Sequence, residues 1–225
     1  MGDFFRTNRR DAILFAACAA AYVVIWLLWT VLPLNGGVSL ADSDNIAAGV
    51  PVIGVLPTQS VSKFVMTAAL YVLAIVYGLL SLASSPYRRA LPQLAGLGAL
   101  TFVGWAMLNF WVISGFLNSP DSLIYGGLSI VLLVAWLGGV IRFIATEHDA
   151  MALFMVRTGL GLALFVTIVQ VISVLTPDWR SPTQGIPVLY TMTLNALVGL
   201  FLAGVGGNML WRERRAQILA AGRRR

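Results

Sequence analysis

The chain has 225 residues, of which 59% are hydrophobic and only 11% are charged, and its formal net charge is +6. Soluble domains carry about 25% charged residues, so this composition excludes an ordinary soluble protein and indicates an integral membrane protein. The length suits one helical bundle, and the single cysteine, Cys18, excludes both an intrachain disulfide and a multi-cysteine metal site.

Six apolar stretches are long enough to cross a bilayer. A spanning helix needs about 20 predominantly apolar residues, because each residue rises about 1.5 Å across a hydrocarbon core of about 30 Å. The predicted transmembrane helices cover residues 11–34, 62–84, 91–116, 122–145, 150–175 and 186–211. Residues 1–10 precede them, residues 35–61 form a long loop, and residues 212–225 form a basic tail. The sequence therefore predicts an all-α, polytopic bundle that is a single membrane domain.

The basic residues predict the orientation of this bundle. If the N-terminus lies inside, thirteen of the fifteen Lys and Arg residues fall on inner segments, and only Lys63 and Arg180 fall outside. Cytoplasmic loops carry an excess of such residues, so we expect both termini in the cytoplasm, in a bacterial inner membrane. Because the basic clusters flank apolar spans, their partners are expected to be anionic lipid head groups of the bilayer and not nucleic acid.

The sequence around His148 contains the densest group of polar residues. His148 lies between Glu147 and Asp149, which suggests a metal or acid–base site. A metal site usually needs three or four converging ligands, however, and the chain has no second histidine. The favoured interpretation is a solvated turn whose acidic residues stabilise the N-terminus of the fifth helix.

Arg157 lies about two turns into the fifth predicted helix. A charge at that depth must reach the interface, form an ion pair or line a cavity. Pairing with Glu147 or Asp149, or extension to the interface, is the simpler interpretation. The alternative is contact with an anionic ligand or a lipid head group.

Four residues are candidates for a ligand cavity. Trp105 and Trp111 flank Asn109 on the third helix, and Gln170 lies on the fifth. Aromatic faces beside a polar group are typical of binding cavities, although polar side chains in hydrocarbon also form hydrogen bonds between helices. We find no Ser/His/Asp set and no buried pair of acids in the sequence, so we expect no enzymatic activity and no metal.

Small residues form faces on the last two helices. Such faces permit close approach of helices, either within the chain or to a partner. The glycines concerned are Gly159, Gly161, Gly199, Gly204, Gly206 and Gly207.

The loop after the first helix resembles that of a known family. The first helix ends in LPLNG, and the short stretch DSD and the run PVIGVLP follow before the second helix. This order is similar to the longer bacterial members of the tryptophan-rich sensory protein family, TspO/MBR. The stretches AALYVLAIVY, WAMLNFW, SLIYGGLSIVLLVAWL and ALFMVRTGLGLALFVTIV resemble its second to fifth helices. The resemblance covers about residues 25–174. It implies a five-helix core, a further C-terminal helix, and a first loop that closes a cavity for tetrapyrroles or sterol-like molecules.

The chain departs from the family at several cavity positions. The aromatic start of the second helix retains only Phe64, and aliphatic or other apolar residues replace the polar and aromatic groups of the fifth helix. We therefore expect a non-enzymatic accessory or assembly subunit of a larger membrane complex, photosynthetic or respiratory and related to tetrapyrroles, that contacts other integral membrane subunits.

Two alternatives remain open at this point. One is a binder or transporter of a tetrapyrrole, sterol-like molecule, carotenoid or lipid in a cavity capped by the loop. The other, which is the least favoured, is an enzyme that acts on lipid or pigment with Glu147, His148 and Asp149 at the membrane interface.

Overall fold

The computed structural model describes residues 2–31, 61–83, 85–116, 120–175 and 186–222. Within these ranges the chain forms long helices and one short 3-10 turn, Pro86–Ala90, and contains no strand. The helices are α1 Gly2–Val31, α2 Val61–Leu82, α3 Leu91–Phe116, α4 Ser122–Thr146, α5 His148–Leu175 and α6 Ile186–Gly222. The prediction of an all-α fold is confirmed.

Within the described residues, five helical segments are long and apolar enough to cross a membrane, and one of them includes the 3-10 turn that precedes α3. These segments are Arg9–Leu28, Pro86–Leu108, Ser122–Thr146, His148–Ile172 and Thr193–Arg215. The described part of α2 contributes a shorter apolar segment, Ala68–Leu82. A bilayer-spanning helix needs about 20 apolar residues, so the chain is an integral membrane protein.

The first and last helices of the chain are longer than their predicted apolar spans. The first begins at Gly2 and not at Asp11, and α6 continues beyond Trp211 to Gly222. The segment RERRAQILAA that follows Trp211 contains strong helix formers and no proline, so the helix persists after its hydrophobic part ends. Residues 35–60 of the predicted loop lie outside the described residues.

Among the described residues, the buried side chains form two clusters. The first joins α1, α2 and α5, where Tyr22, Leu70 and Phe165 are buried, and it also holds Cys18 as a free, buried thiol. The second cluster packs the end of α2 against α3, α4 and the start of α5 around Leu94. Cys18 is therefore a core residue.

Helices α5 and α6 pack closely on each other through glycine residues. A Cβ atom on Gly199 would lie 2.6 Å from the carbonyl oxygen of Gly159, and one on Gly206 would lie 2.5 Å from that of Ala152. By contrast, Cβ atoms on Gly204 and Gly207 would meet nothing within 4 Å. Part of the predicted small-residue face therefore packs within the chain, and backbone contact becomes possible because no side chain separates the two helices.

A single residue separates α4 from α5. The N–H of Glu147 donates to the carbonyl of Phe143 at 2.8 Å, and the N–H of Met151 donates to the carbonyl of Glu147 at 3.0 Å. These bonds satisfy backbone groups that a helix end leaves open, so the chain starts α5 directly at His148.

Candidate functional site: a tryptophan-lined groove between α3 and α4

Helices α3 and α4 pack on each other and leave a groove between them, which we call the tryptophan groove. Its volume is about 260 Å³. The lining residues are Leu100, Thr101, Gly104, Trp105, Leu108, Trp111, Ser129, Ile130, Leu132, Leu133 and Trp136. Ile130 and Leu133 are themselves exposed, which places the groove at the outer surface of the bundle, where lipid chains surround a membrane protein.

Three polar side chains of this groove, those of Thr101, Ser129 and Trp136, form hydrogen bonds within the protein. The indole N–H of Trp136 donates to the hydroxyl oxygen of Thr101 at 2.8 Å, and that hydroxyl donates to the carbonyl of Leu97 at 2.8 Å. The hydroxyl of Ser129 donates to the carbonyl of Tyr125 at 2.7 Å. Since these groups are already paired, the groove presents them as part of a largely apolar wall.

Aromatic stacking positions Trp105. Its ring stacks on Tyr71 of α2 with a centroid distance of 5.4 Å and an interplanar angle of 26°. The hydroxyl of Tyr71 in turn donates to the side-chain oxygen of Asn195 on α6 at 3.0 Å, and Asn195 is buried. This chain of contacts ties one wall of the groove to the interior of the bundle and fixes the ring in place.

Trp111 lies at the opposite end of the groove from Leu100 and packs over Gly126 of α4. A Cβ atom on Gly126 would lie 2.7 Å from Nε1 of the Trp111 ring, which is closer than real Cβ contacts allow. The absence of a side chain at Gly126 therefore lets the indole lie against the backbone of α4.

A second pocket between α3 and α4 lies nearer the start of α3 and touches the tryptophan groove at Leu100. It has a volume of about 280 Å³ and shares Leu100 with the first section. Its lining residues are Gln93, Gly96, Leu97, Leu100, Gly139, Arg142, Phe143 and Thr146. From Gln93 to Trp111 the helix advances eighteen residues, which corresponds to about 27 Å. The two sections thus follow most of the thickness of a bilayer, with polar groups at the Arg142 end.

The structure brings together two of the four predicted cavity residues. Trp105 and Trp111 line the tryptophan groove. Asn109 belongs to α3, but its side chain lies outside the described part of the structure. Gln170 lies elsewhere, on α5, where its amide donates to the hydroxyl of Thr193 on α6 at 3.4 Å. Trp136 is a third tryptophan of the groove that the sequence did not predict, because only the pairing of α3 with α4 places it beside Trp105.

Arg157 pairs with an acid on a different helix from those expected. Its Nη2 atom lies 2.6 Å from Oδ2 of Asp11 on α1, and its Nη1 donates to the hydroxyl of Tyr77 at 3.4 Å. Both charged side chains are partly buried, with exposed fractions of 29% for Arg157 and 20% for Asp11. The predicted pairing with Glu147 or Asp149 is replaced by this contact, which neutralises the charge inside the bundle and links α1 to α5.

The residues around His148 gather a further acid from α6. Nδ1 of His148 lies 3.7 Å from Oδ1 of Asp149 and 3.4 Å from Oε2 of Glu213. The hydroxyl of Tyr87 donates to Oδ2 of Asp149 at 3.2 Å. Glu147, the remaining acid of the sequence cluster, is exposed and does not belong to this group.

Comparison with known proteins finds no matching family model, no matching curated protein and no matching solved structure.

Proposed function

We propose that this integral membrane protein binds an elongated apolar ligand, of the lipid or carotenoid class, along the groove between α3 and α4, without catalysing a reaction. The observation that carries this proposal is the tryptophan groove itself. Its side walls present the rings of Trp105, Trp111 and Trp136. Concave sites lined by aromatic and aliphatic side chains are the usual form of a small-molecule site.

The dimensions of the groove favour a chain-like ligand over a broad, flat tetrapyrrole. Two sections of about 260 and 280 Å³ follow one another and meet at Leu100. The total path of about 27 Å is close to the thickness of a hydrocarbon core. Arg142 and Gln93 at one end supply polar contacts for a terminal oxygen or an anionic head group.

The proposal places six spans, with α2 among them, in a bacterial inner membrane and both termini in the cytoplasm. The distribution of Lys and Arg supports this orientation. The contact of Asp11 with Arg157 and that of His148 with Glu213 are consistent with it, because they join the first part of α1 and the last part of α6 to the start of α5. Kinship with TspO/MBR, which the loop at residues 32–57 suggests, stays part of this proposal.

Quenching of tryptophan fluorescence tests the proposal. The purified full chain in detergent is titrated with a carotenoid, with a brominated phospholipid and with haem. We expect saturable quenching by one of the first two ligands. Gly104→Leu, which fills the groove, should weaken binding at least about tenfold, equivalent to about 1.4 kcal/mol. Gly138→Leu adds the same side chain at a position where a Cβ meets nothing within 4 Å, so it serves as the matched control.

Two results would contradict this proposal. Quenching that never saturates, or that is equal in wild type and Gly104→Leu, would show that the groove is not the binding site. Tight binding of haem alone would show that the ligand is a tetrapyrrole and not a chain-like molecule.

A second candidate function is that of an accessory or assembly subunit of a larger photosynthetic or respiratory complex. The observation that favours it is the outer face of α4, which packs mainly on α3 and leaves large apolar side chains exposed. These include Ile124, Val131, Val134 and Ile141. Extraction in mild detergent, native electrophoresis and mass spectrometry test it. A stable large assembly supports this function, and a monodisperse protein without other subunits contradicts it.

A further inference from the structure

Three potential metal ligands converge where α5 begins and α6 approaches its end. His148 is the first residue of α5, Asp149 is the second, and Glu213 reaches them from α6. One nitrogen and two carboxylate oxygens from these residues all lie within 4.8 Å of one another. We refer to these three residues as the His148 cluster. It lies on different helices from the walls of the tryptophan groove, so the inference is independent of the proposed function.

The spacing of the donor atoms fits a metal ion better than direct hydrogen bonds. Nδ1 of His148 stands 3.4 Å from Oε2 of Glu213 and 3.7 Å from Oδ1 of Asp149. Hydrogen bonds between nitrogen and oxygen are usually about 2.7–3.2 Å long. Ligands at about 2.0–2.2 Å from a tetrahedral ion are separated from each other by about 3.3–3.6 Å. The separation from Glu213 falls within this range, the separation from Asp149 is slightly longer, and all three donor atoms lie within 4.8 Å of one another.

Two acidic oxygens face His148, Oδ1 of Asp149 and Oε2 of Glu213. Both are shielded from solvent and accept no hydrogen bond from the rest of the described chain, so their neighbours are His148 and each other's carboxyl group. Shielding a carboxylate oxygen without a partner is costly, and a cation between the two oxygens removes that cost. The other oxygen of Asp149 accepts the hydroxyl of Tyr87, an arrangement that commonly orients a metal-binding carboxylate.

We propose that the His148 cluster binds one divalent transition-metal ion, with Zn²⁺ as the reference ion. An imidazole nitrogen beside two carboxylates favours first-row transition metals, whereas Mg²⁺ and Ca²⁺ prefer oxygen ligands alone. Three protein ligands leave one position for water. The ion joins the start of α5 to the last part of α6, on the same pair of helices that Gly159 and Gly199 hold in contact.

Metal titration of the full chain tests the site. The protein is purified in detergent, stripped of metal and titrated with Zn²⁺ in competition with a chromophoric chelator. We expect one Zn²⁺ per chain. His148→Ala and Glu213→Gln should each weaken binding more than about tenfold, and Tyr87→Phe about tenfold through loss of the bond to Asp149. Glu147→Gln removes the adjacent acid that is outside the cluster, so its affinity should equal that of wild type.

A second measurement on the unmodified protein covers the case in which a variant does not fold. Co²⁺ in place of Zn²⁺ should give the strong visible absorption of a four- or five-coordinate site. A weak spectrum like that of the hydrated ion would overturn the proposal. The absence of stoichiometric Zn²⁺ binding would also overturn it, and would show that the cluster is an ion pair centred on His148. Equal Zn²⁺ affinity in wild type, His148→Ala and Glu213→Gln would also overturn it.

Discussion

Asp11 of α1 and Arg157 of α5 form an ion pair inside the helical bundle, with 2.6 Å between Oδ2 of the acid and Nη2 of the arginine. The two residues are 146 positions apart in the chain, and the arginine also contacts the hydroxyl of Tyr77 on α2. Three helices therefore meet at one charged group, at a depth where an isolated charge is unfavourable.

Removal of one partner of this pair should destabilise the bundle. Asp11→Asn leaves the partly buried Arg157 charge without its acid. We expect a loss of about 1–3 kcal/mol, below the range for completely buried pairs because both side chains are partly exposed. Thermal unfolding in detergent measures the effect. Arg9→Gln alters an exposed charge on the same helix and should change stability little. A double variant, Asp11→Leu with Arg157→Met, should be more stable than Asp11→Asn alone; the reverse order would contradict the role of the pair.

The contact between α5 and α6 depends on glycine at particular positions. Gly199→Ala places a Cβ 2.6 Å from the carbonyl oxygen of Gly159, so the helices must separate. We expect a loss of about 1–3 kcal/mol, typical of overpacking, in a denaturant titration. Gly204→Ala is the matched control, because its Cβ meets nothing within 4 Å. Equal stability of the two variants would show that α5 and α6 do not pack through this glycine.

The hydroxyl oxygen of Thr101 accepts the hydrogen bond that the indole N–H of Trp136 donates across the groove. Thr101→Val leaves the indole N–H without this acceptor, and the cost within a membrane is expected to be about 0.6–1.7 kcal/mol. The measurements are the free energy of unfolding and the emission maximum of Trp136, the latter in a variant that lacks the other tryptophans. Thr167 also donates to a carbonyl of its own helix, at 2.8 Å, and no bond from another helix to its hydroxyl is described, so Thr167→Val is the control. Identical results for both variants would argue against the interhelical bond.

Substitution of Gly126 should displace the ring that ends the groove. In Gly126→Ala the new Cβ would lie 2.7 Å from Nε1 of Trp111, and the ring must move. Because a side chain and not the backbone gives way, we expect a stability change below about 1 kcal/mol but a shift in Trp111 emission and weaker ligand quenching. Gly127→Ala has open space around its Cβ and should behave as wild type. Unchanged emission in Gly126→Ala would contradict the contact.

Hydropathy predicted the bounds of the third and fourth helices well. The third and fourth helices were expected at residues 91–116 and 122–145, and the structure has Leu91–Phe116 and Ser122–Thr146. The ends at Gly2 and Gly222 were not predicted, because helix continuation outside hydrocarbon depends on helix propensity and not on apolar content.

The candidate sites were predicted less completely than the helices. Trp105 and Trp111 were selected because they lie beside the polar Asn109 on one apolar helix. The sequence did not predict the contact of Trp136 with Thr101 or that of Glu213 with His148, because the two residues of each pair lie 35 and 65 positions apart in the chain. Such pairs are set by which helices pack together and at what register, and apolar composition carries little information on either.

The most direct test of the central claim, that the groove between α3 and α4 holds an elongated apolar ligand, is to identify what the protein carries. The full chain is purified from its membrane, and mass spectrometry quantifies lipids and pigments against the bulk membrane. We expect about one enriched chain-like molecule per protein in wild type and in Gly138→Leu, and its loss in Gly104→Leu. An apolar fraction identical to bulk lipid in all three proteins would contradict the claim.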